Sequence, residues 1–165
     1  LPEGAPYQLI SGELVMNHSP NFFHQRIVMR LSNSLFMFVE QHKLGEVVPS
    51  PVDVYLKDTE VYQPDVVFIL KERLGIINEG RIKGAPDLII EILSPSTGYY
   101  DLTHKRNVYE SSGVKEYWIA DPDEETIEVL ENVNGEFIRI VRQKQTGIVT
   151  SKLLMGFSVK VEDIF

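Results

Sequence analysis

One carboxylate inside an otherwise apolar run constrains the fold of this chain more than any other feature. Residues 86–97 read Pro-Asp-Leu-Ile-Ile-Glu-Ile-Leu-Ser-Pro-Ser-Thr, and the apolar stretch in this segment has the composition of a buried strand except at Glu91. An ionised carboxylate in such a strand is costly unless it is paired or bound to a metal. The sequence therefore predicts a partner for Glu91, and the identity of that partner bears on function.

Strand geometry narrows the choice of a carboxylate partner for Glu91. Asp87 faces the same way on the same strand, but four residues at ~3.3 Å each separate the two side chains by about 13 Å. That separation is too large for both to bind one ion directly. Asp65, which follows Pro64 at the start of another apolar run, is a better candidate because neighbouring strands lie only ~4.8 Å apart. Two readings stay open: Glu91 is a metal ligand with Asp65, or it belongs to a buried structural ion pair.

A lysine near Glu91 must come from outside its strand. Leu93 shares a face with Glu91 two residues earlier, and this position is apolar. The nearest downstream lysine is Lys105, in a predicted helix from Asp101 to Ser112, and its ammonium could reach back over the strand end. The alternative is a surface pair with Asp101, four residues earlier, worth ~0.3–0.5 kcal/mol.

The local patterns predict a single α/β (α+β) domain over residues 1–165, with a mixed sheet flanked by helices. A hairpin is expected at 7–16, turning at Ser11-Gly12, and another around Asn134-Gly135. A long helix is expected to begin with Ser19 as its N-cap and to end with Gly45 as a left-handed C-cap. Further strands are expected at 47–56, 61–70, 85–94 and 114–120.

Charge and composition exclude several classes of protein. The net charge of −8 argues against sequence-independent nucleic-acid binding, which depends on neutralising phosphates. Residues 110–136 hold nine acidic side chains and one basic one, which predicts a solvated hairpin away from any active face. The chain contains no cysteine, no apolar run of ~20 residues and no signal-peptide pattern, so we expect a cytoplasmic protein that does not enter the membrane.

The longest motif runs GAPDLIIEILSPSTGYYDLTHKRNVYESSGVKEYWIADP over residues 84–122. Together with SGELV at 11–15, the Ser-Pro and HQRI of the first helix, QPDVVFI at 63–69 and GFSVKVEDIF at 156–165, it resembles the Uma-type "putative restriction endonuclease" family. That family belongs to the PD-(D/E)XK nuclease superfamily. The resemblance covers nearly the whole chain, and the combination of motifs is more specific than any single one.

The resemblance implies a restriction-endonuclease-like core and a set of site residues. Asp65 and Glu91 match the metal-binding acids of the family, and the carbonyl of Ile92 would complete the metal shell. Lys105 matches a catalytic lysine that has moved from the strand to the helix, since Leu93 occupies the usual lysine position. Glu13 and His24 match auxiliary positions, although alone they are typical of an exposed acid and a half-buried histidine.

The implied reaction is hydrolysis of phosphodiester bonds in DNA with Mg²⁺, for which Mn²⁺ is the expected substitute. Mg²⁺ prefers a few carboxylates plus water, and it stabilises charge that develops on a phosphodiester. A homodimer would supply two active sites for cutting both strands. The alternative is a catalytically inactive nuclease-like protein that binds DNA or a protein partner.

Overall fold

The computed structural model describes residues 5–94 and 99–165, which form two helices, two short 3₁₀ segments and fourteen strands. The helices are α1 (Phe22–His42) and α2 (Tyr99–Ser112), and the 3₁₀ segments are Lys71–Ile76 and Val161–Asp163. The strands are β1 (Tyr7–Ile10), β2 (Glu13–Met16), β3 (Gly45–Pro49), β4 (Val54–Lys57), β5 (Glu60–Tyr62), β6 (Val66–Leu70), β7 (Ile77–Asn78), β8 (Arg81–Lys83), β9 (Leu88–Ile92), β10 (Glu116–Asp121), β11 (Thr126–Val133), β12 (Glu136–Lys144), β13 (Ile148–Thr150) and β14 (Ser158–Lys160).

The central layer is a six-stranded mixed sheet in the order β12-β11-β10-β9-β6-β3. Strands β9 and β10 are parallel and are joined through α2, whereas the other neighbours in this sheet are antiparallel. A parallel pair needs a crossover connection, and a helix is the usual one. This arrangement places α2 beside the strand that carries Glu91.

Each face of the central sheet is covered by its own hydrophobic core. On one face, α1 and the C-terminal segments pack against Ile90, Ile92 and Trp118. On the other face, α2 and a second six-stranded sheet, in the order β2-β1-β5-β4-β8-β7, pack against Ile89 and Tyr117. Because successive strand residues alternate between faces, Glu91 occupies a position on the α2 side that an apolar residue would otherwise fill.

The mixed sheet flanked by helices that the sequence predicts is confirmed, and so are both hairpins. Ser11 and Gly12 adopt positive φ of 50° and 82° between β1 and β2, and Asn134 and Gly135 do the same between β11 and β12. A two-residue turn with positive φ at both positions fits the right-handed twist of its strands. The second sheet was not predicted.

Both predicted ends of α1 are wrong by two residues. The N-cap is Asn21, whose side chain accepts a 2.9 Å hydrogen bond from the amide of His24, so Ser19 lies before the helix. The left-handed C-cap is Lys43, with φ of 54°, and Gly45 begins β3 instead. Gly45 is still required there, because a Cβ atom would lie 2.0 Å from the carbonyl oxygen of Ile69 on the adjacent strand.

Three other sequence predictions also need correction. The expected strand at 47–56 is divided between β3 and β4, which belong to different sheets, and the one at 61–70 is divided between β5 and β6. The acidic segment is not uniformly solvated, since Glu116 is completely buried. Its carboxylate accepts hydrogen bonds from Trp118 Nε1, the Ser151 hydroxyl and the amides of Lys152 and Leu153, at 2.7–2.9 Å. These bonds give both oxygens of the buried carboxylate hydrogen-bond partners.

Candidate metal and nuclease site

Strand register brings the two carboxylates identified in the sequence to the same end of the sheet. Strands β6 and β9 are antiparallel, with Val66 paired to Ile90. One further step along this register places Asp65 opposite Glu91. The adjacent strand therefore supplies the second carboxylate, as the strand spacing predicts.

Asp65 closes the end of the β6–β9 ladder with its side chain. Its Oδ2 atom accepts a 2.7 Å hydrogen bond from the backbone amide of Ile92 and lies 3.4 Å from Nε2 of His24. On its other side, the Asp65 carbonyl accepts a hydrogen bond from the amide of Ser50 at 2.8 Å. The carboxylate is thus fixed between the end of β9 and the start of α1.

His24 links α1 to this strand end. Burial alone would lower the pKa of His24, but hydrogen bonding and charge from Asp65, the Gln25 side chain and the carbonyl of Ile92 together raise the pKa above its ordinary value. Its Nδ1 atom lies 3.2 Å from Oε1 of Gln25. His24, Asp65 and the carbonyl of Ile92 therefore meet at one point.

Two side chains from successive turns of α2 contact the carboxylate of Glu91. The Tyr109 hydroxyl donates a 2.6 Å hydrogen bond to Oε1 of Glu91, and Nζ of Lys105 lies 3.6 Å from the same oxygen. Lys105 and Tyr109 are four residues apart, which places them on one face of the helix. The lysine therefore does reach the strand end from α2, as its sequence position suggests.

The environment of this ion pair is apolar and aromatic. Lys105 is 8% exposed, and its ammonium lies 5.6 Å from the centre of the Tyr62 ring. Burial, together with the charge of Glu91, raises the pKa of Tyr109 well above its ordinary value, so the phenol stays a hydrogen-bond donor at neutral pH. Tyr109 is not among the site residues that the sequence predicts; its four-residue spacing from Lys105 was the available signal.

These residues line one cleft of about 510 Å³ that opens to solvent. Asp65, Glu91, Ile92, Lys105 and His24 all contribute to its walls. The lining also contains a network of amide side chains, in which Gln8 donates to Asn17 at 2.5 Å and Asn17 donates to Gln63 at 2.6 Å. A cleft with convergent polar groups is the usual form of a binding site.

The remaining sequence candidates lie elsewhere. Glu13 is exposed at the start of β2, and it is not among the residues that line the cleft. Leu93 follows β9 and donates its amide to the carbonyl of Ala120 at 2.8 Å. Its side chain is apolar and cannot supply the ammonium group that the usual lysine position would hold. Asp87, at the opposite end of β9 from the cleft, pairs with Arg73 and Lys115 at 2.8 Å each.

The donor chemistry of the cleft fits a hard divalent cation. Two carboxylates and the Ile92 carbonyl offer oxygen ligands of the kind that Mg²⁺ and Mn²⁺ take, with water in the remaining positions. Within residues 5–94 and 99–165, no three acidic or histidine side chains stand close enough together to hold a metal by themselves. Any metal here would therefore depend on the backbone carbonyl and on water as well as on Asp65 and Glu91.

Comparison with known proteins identifies a family and a similar fold. A family model described as "Uma2: Putative restriction endonuclease" matches residues 1–162. The fold is similar to that of a solved protein from Anabaena variabilis ATCC 29413, described as a "putative nuclease belonging to DUF820", with a TM-score of 0.82 and 22% sequence identity. The similarity covers 100% of this chain and 93% of that one. The chain matches no curated protein.

Proposed function

This chain belongs to the Uma2 family of "putative restriction endonucleases", and on that premise we propose that it is a metal-dependent DNA endonuclease that hydrolyses phosphodiester bonds. Family and fold support a nuclease, whose substrate class is nucleic acid. Restriction-endonuclease-like families generally use divalent metals, and Mg²⁺, with Mn²⁺ as substitute, is our proposal for the ion. The observation that carries the proposal is the convergence of Asp65, Glu91, Ile92 and Lys105 on one cleft.

Each residue has a proposed task that follows from its chemistry. Asp65, Glu91 and the Ile92 carbonyl would hold the divalent ion, which supplies charge stabilisation and a more acidic bound water. Lys105, the buried cation of the cleft, would orient water or stabilise charge developing on the phosphate. His24 and Glu13 are proposed auxiliaries; His24 contacts Asp65, whereas Glu13 would need to act from outside the cleft.

Plasmid nicking tests the proposal directly. Supercoiled plasmid with Mg²⁺ or Mn²⁺ should be nicked by the wild-type protein and by Glu124→Ala, an exposed control on the β10–β11 turn. Glu91→Ala and Asp65→Asn should lower the rate at least 100-fold. Nicking that persists in Glu91→Ala would identify a contaminating enzyme and refute the assignment.

The second candidate is a nuclease-like protein that binds DNA or a partner without cutting. It is favoured by the apolar Leu93 at the usual lysine position and by the net charge of −8. Calorimetry with Mn²⁺ separates the candidates. The enzyme should bind the ion through Asp65 and Glu91 and lose binding in either variant, whereas a pure binding module need not bind it.

Two further expectations accompany the proposal. A homodimer would provide two active sites, one for each strand of a duplex. Light scattering of the purified protein measures its molar mass and therefore tests for the dimer. The cysteine-free sequence fits a reducing cytoplasm. Within the part of the chain that the structure describes, no helix is long and apolar enough to cross a membrane.

A further inference from the structure

We propose that Tyr109 is a positioning residue that fixes the carboxylate of Glu91 for binding a divalent cation. This inference rests on the proposed function, and it assigns a task to a hydroxyl that the sequence motif alone leaves as part of the core. The geometric basis is the 2.6 Å hydrogen bond from the Tyr109 hydroxyl to Oε1 of Glu91. That length lies within the range of a hydrogen bond from a hydroxyl group to a carboxylate oxygen.

The hydroxyl is held in place by the packing of its own ring. Tyr109 is completely buried, and its ring makes edge contacts with Tyr62 and Tyr117 at centroid distances of 5.6 and 5.3 Å. Tyr62 is itself anchored through its hydroxyl, which donates a 2.6 Å hydrogen bond to Glu60. A donor on a ring locked by packing aligns its acceptor more precisely than a flexible side chain does.

The uncharged Tyr109 hydroxyl and the charged Lys105 ammonium group approach the same oxygen of Glu91 and have different effects on it. Lys105 approaches Oε1 of Glu91 at 3.6 Å and brings a positive charge, which competes with a metal for the carboxylate. The Tyr109 hydroxyl satisfies the same oxygen and adds no charge. The phenol therefore restricts rotation of the carboxylate while the negative charge stays available to a cation. Partners of this type, which orient a metal ligand without touching the metal, typically change affinity 10–100-fold.

The test measures Mn²⁺ affinity by calorimetry in three folded variants of the full chain. Tyr109→Phe removes only the hydroxyl and should weaken Mn²⁺ binding about tenfold. Tyr117→Phe removes another buried hydroxyl from the same aromatic cluster and should retain wild-type affinity. Glu91→Gln should abolish binding. Thermal unfolding of each variant reports any purely structural effect separately.

The outcomes separate the positioning role of Tyr109 from the proposed metal-dependent function. Wild-type affinity in Tyr109→Phe overturns the positioning role and leaves the metal-dependent function standing. Equal weakening in Tyr109→Phe and Tyr117→Phe also overturns it, because the effect would then come from core packing. No Mn²⁺ binding by the wild-type protein refutes the proposed function and this inference with it.

A measurement on the wild-type protein avoids dependence on a variant that fails to fold. During titration with Mg²⁺, the NMR signals of the Glu91 carboxyl carbon and the Tyr109 hydroxyl proton should shift along one binding curve. A carboxyl signal that shifts while the hydroxyl signal stays constant would overturn the positioning role.

Discussion

Oδ2 of Asp65, the residue just before β6 begins, accepts a 2.7 Å hydrogen bond from the backbone amide of Ile92, the last residue of β9. The side chain thus provides the acceptor that a backbone carbonyl would provide in a longer β6. Asp65 therefore has two separable properties, a hydrogen-bond acceptor for the strand end and a negative charge at the cleft.

Substitutions at Asp65 should separate these two properties. Asp65→Asn retains an oxygen acceptor, so we expect its free energy of unfolding to stay within about 1 kcal/mol of wild type. Asp65→Ala leaves the Ile92 amide without its acceptor and should cost a further 1–3 kcal/mol, roughly. Both variants should lose Mn²⁺ binding in calorimetry, because both lose the charge. Wild-type Mn²⁺ affinity in Asp65→Asn would contradict a ligand role, and equal stability of the two variants in urea would contradict the strand-end role.

Lys105 and Glu91 should be energetically coupled. Lys105→Met leaves the buried Glu91 carboxylate without its cation and should lower the free energy of unfolding by about 1–3 kcal/mol. The double variant Lys105→Met/Glu91→Gln should lose less than the sum of the single losses, with a coupling of about 0.5–3 kcal/mol. Urea unfolding of the four proteins measures the cycle.

The control for this cycle is Lys152→Met, which removes an exposed lysine paired with Glu131 at 2.9 Å. Exposed ion pairs contribute little to stability, so no measurable loss is expected there. Strict additivity of the Lys105 and Glu91 losses would show that their contact is not a stabilising pair.

Glu60 should hold the β1–β2 hairpin against the rest of the protein. It is 5% exposed and accepts hydrogen bonds from the Ser11 amide at 3.1 Å and from the Tyr62 hydroxyl at 2.6 Å. Burial raises the pKa of Glu60, but the Tyr62 hydroxyl, the Ser11 amide and His104 lower it to a net value below the ordinary one. Glu60 is therefore ionised at neutral pH.

Hydrogen exchange measures this attachment. In Glu60→Ala the Ser11 amide should exchange at least tenfold faster, because its acceptor is gone and local opening becomes easier. The Gly135 amide, which is bonded to Asn132 in the distant β11–β12 hairpin, provides the internal control. Unchanged exchange at Ser11 would show that Glu60 does not determine the stability of the hairpin.

Elements of this structure can be predicted from the sequence where residues close together in the chain determine their conformation. They are harder to predict where the determining contacts join residues that are distant in the chain. The Asn134-Gly135 turn is readable because positive φ at two successive positions is a property of those residue types. The end of α1 cannot be predicted in this way, because Lys43, and not a glycine, takes the left-handed conformation there. Gly45 is instead needed where the backbone lies close to Ile69. The second sheet also escapes prediction, since it joins short strands that are distant in sequence, such as β1 with β5.

The candidate site was partly predictable for a similar reason. An apolar strand around Glu91 and the spacing of neighbouring strands are sufficient to propose Asp65 as a partner. The contact between Lys105 and Glu91 depends on how α2 packs as it connects the parallel strands β9 and β10. From the sequence, this contact and a surface pair between Lys105 and Asp101 were both open alternatives. The Tyr109 hydroxyl was missed because buried aromatic residues most often serve packing alone.

Asp87 should determine part of the acid stability of the fold. It is completely buried and accepts hydrogen bonds from the Leu70 amide, Arg73 and Lys115 at 2.8 Å. Burial raises the pKa of Asp87, but Lys115, the Leu70 amide and Arg73 lower it to a net value below the ordinary 3.8. A carboxyl whose pKa is lower in the folded state stabilises the protein above the unfolded pKa, and this stabilisation is lost as the pH falls through the folded pKa.

Asp87→Asn should therefore reduce the free energy of unfolding by about 2 kcal/mol at pH 7. The loss is smaller than for a fully buried pair, because the Arg73 and Lys115 side chains are 31% and 46% exposed. As the pH falls below about 4, the wild-type protein should lose its advantage and the two urea-unfolding curves should approach each other. Nicking activity at pH 7 and 25 °C should be unchanged, since Asp87 lies at the end of β9 away from the cleft. A stability difference of the same size at pH 3 and pH 7 would show that ionisation of Asp87 does not stabilise the fold.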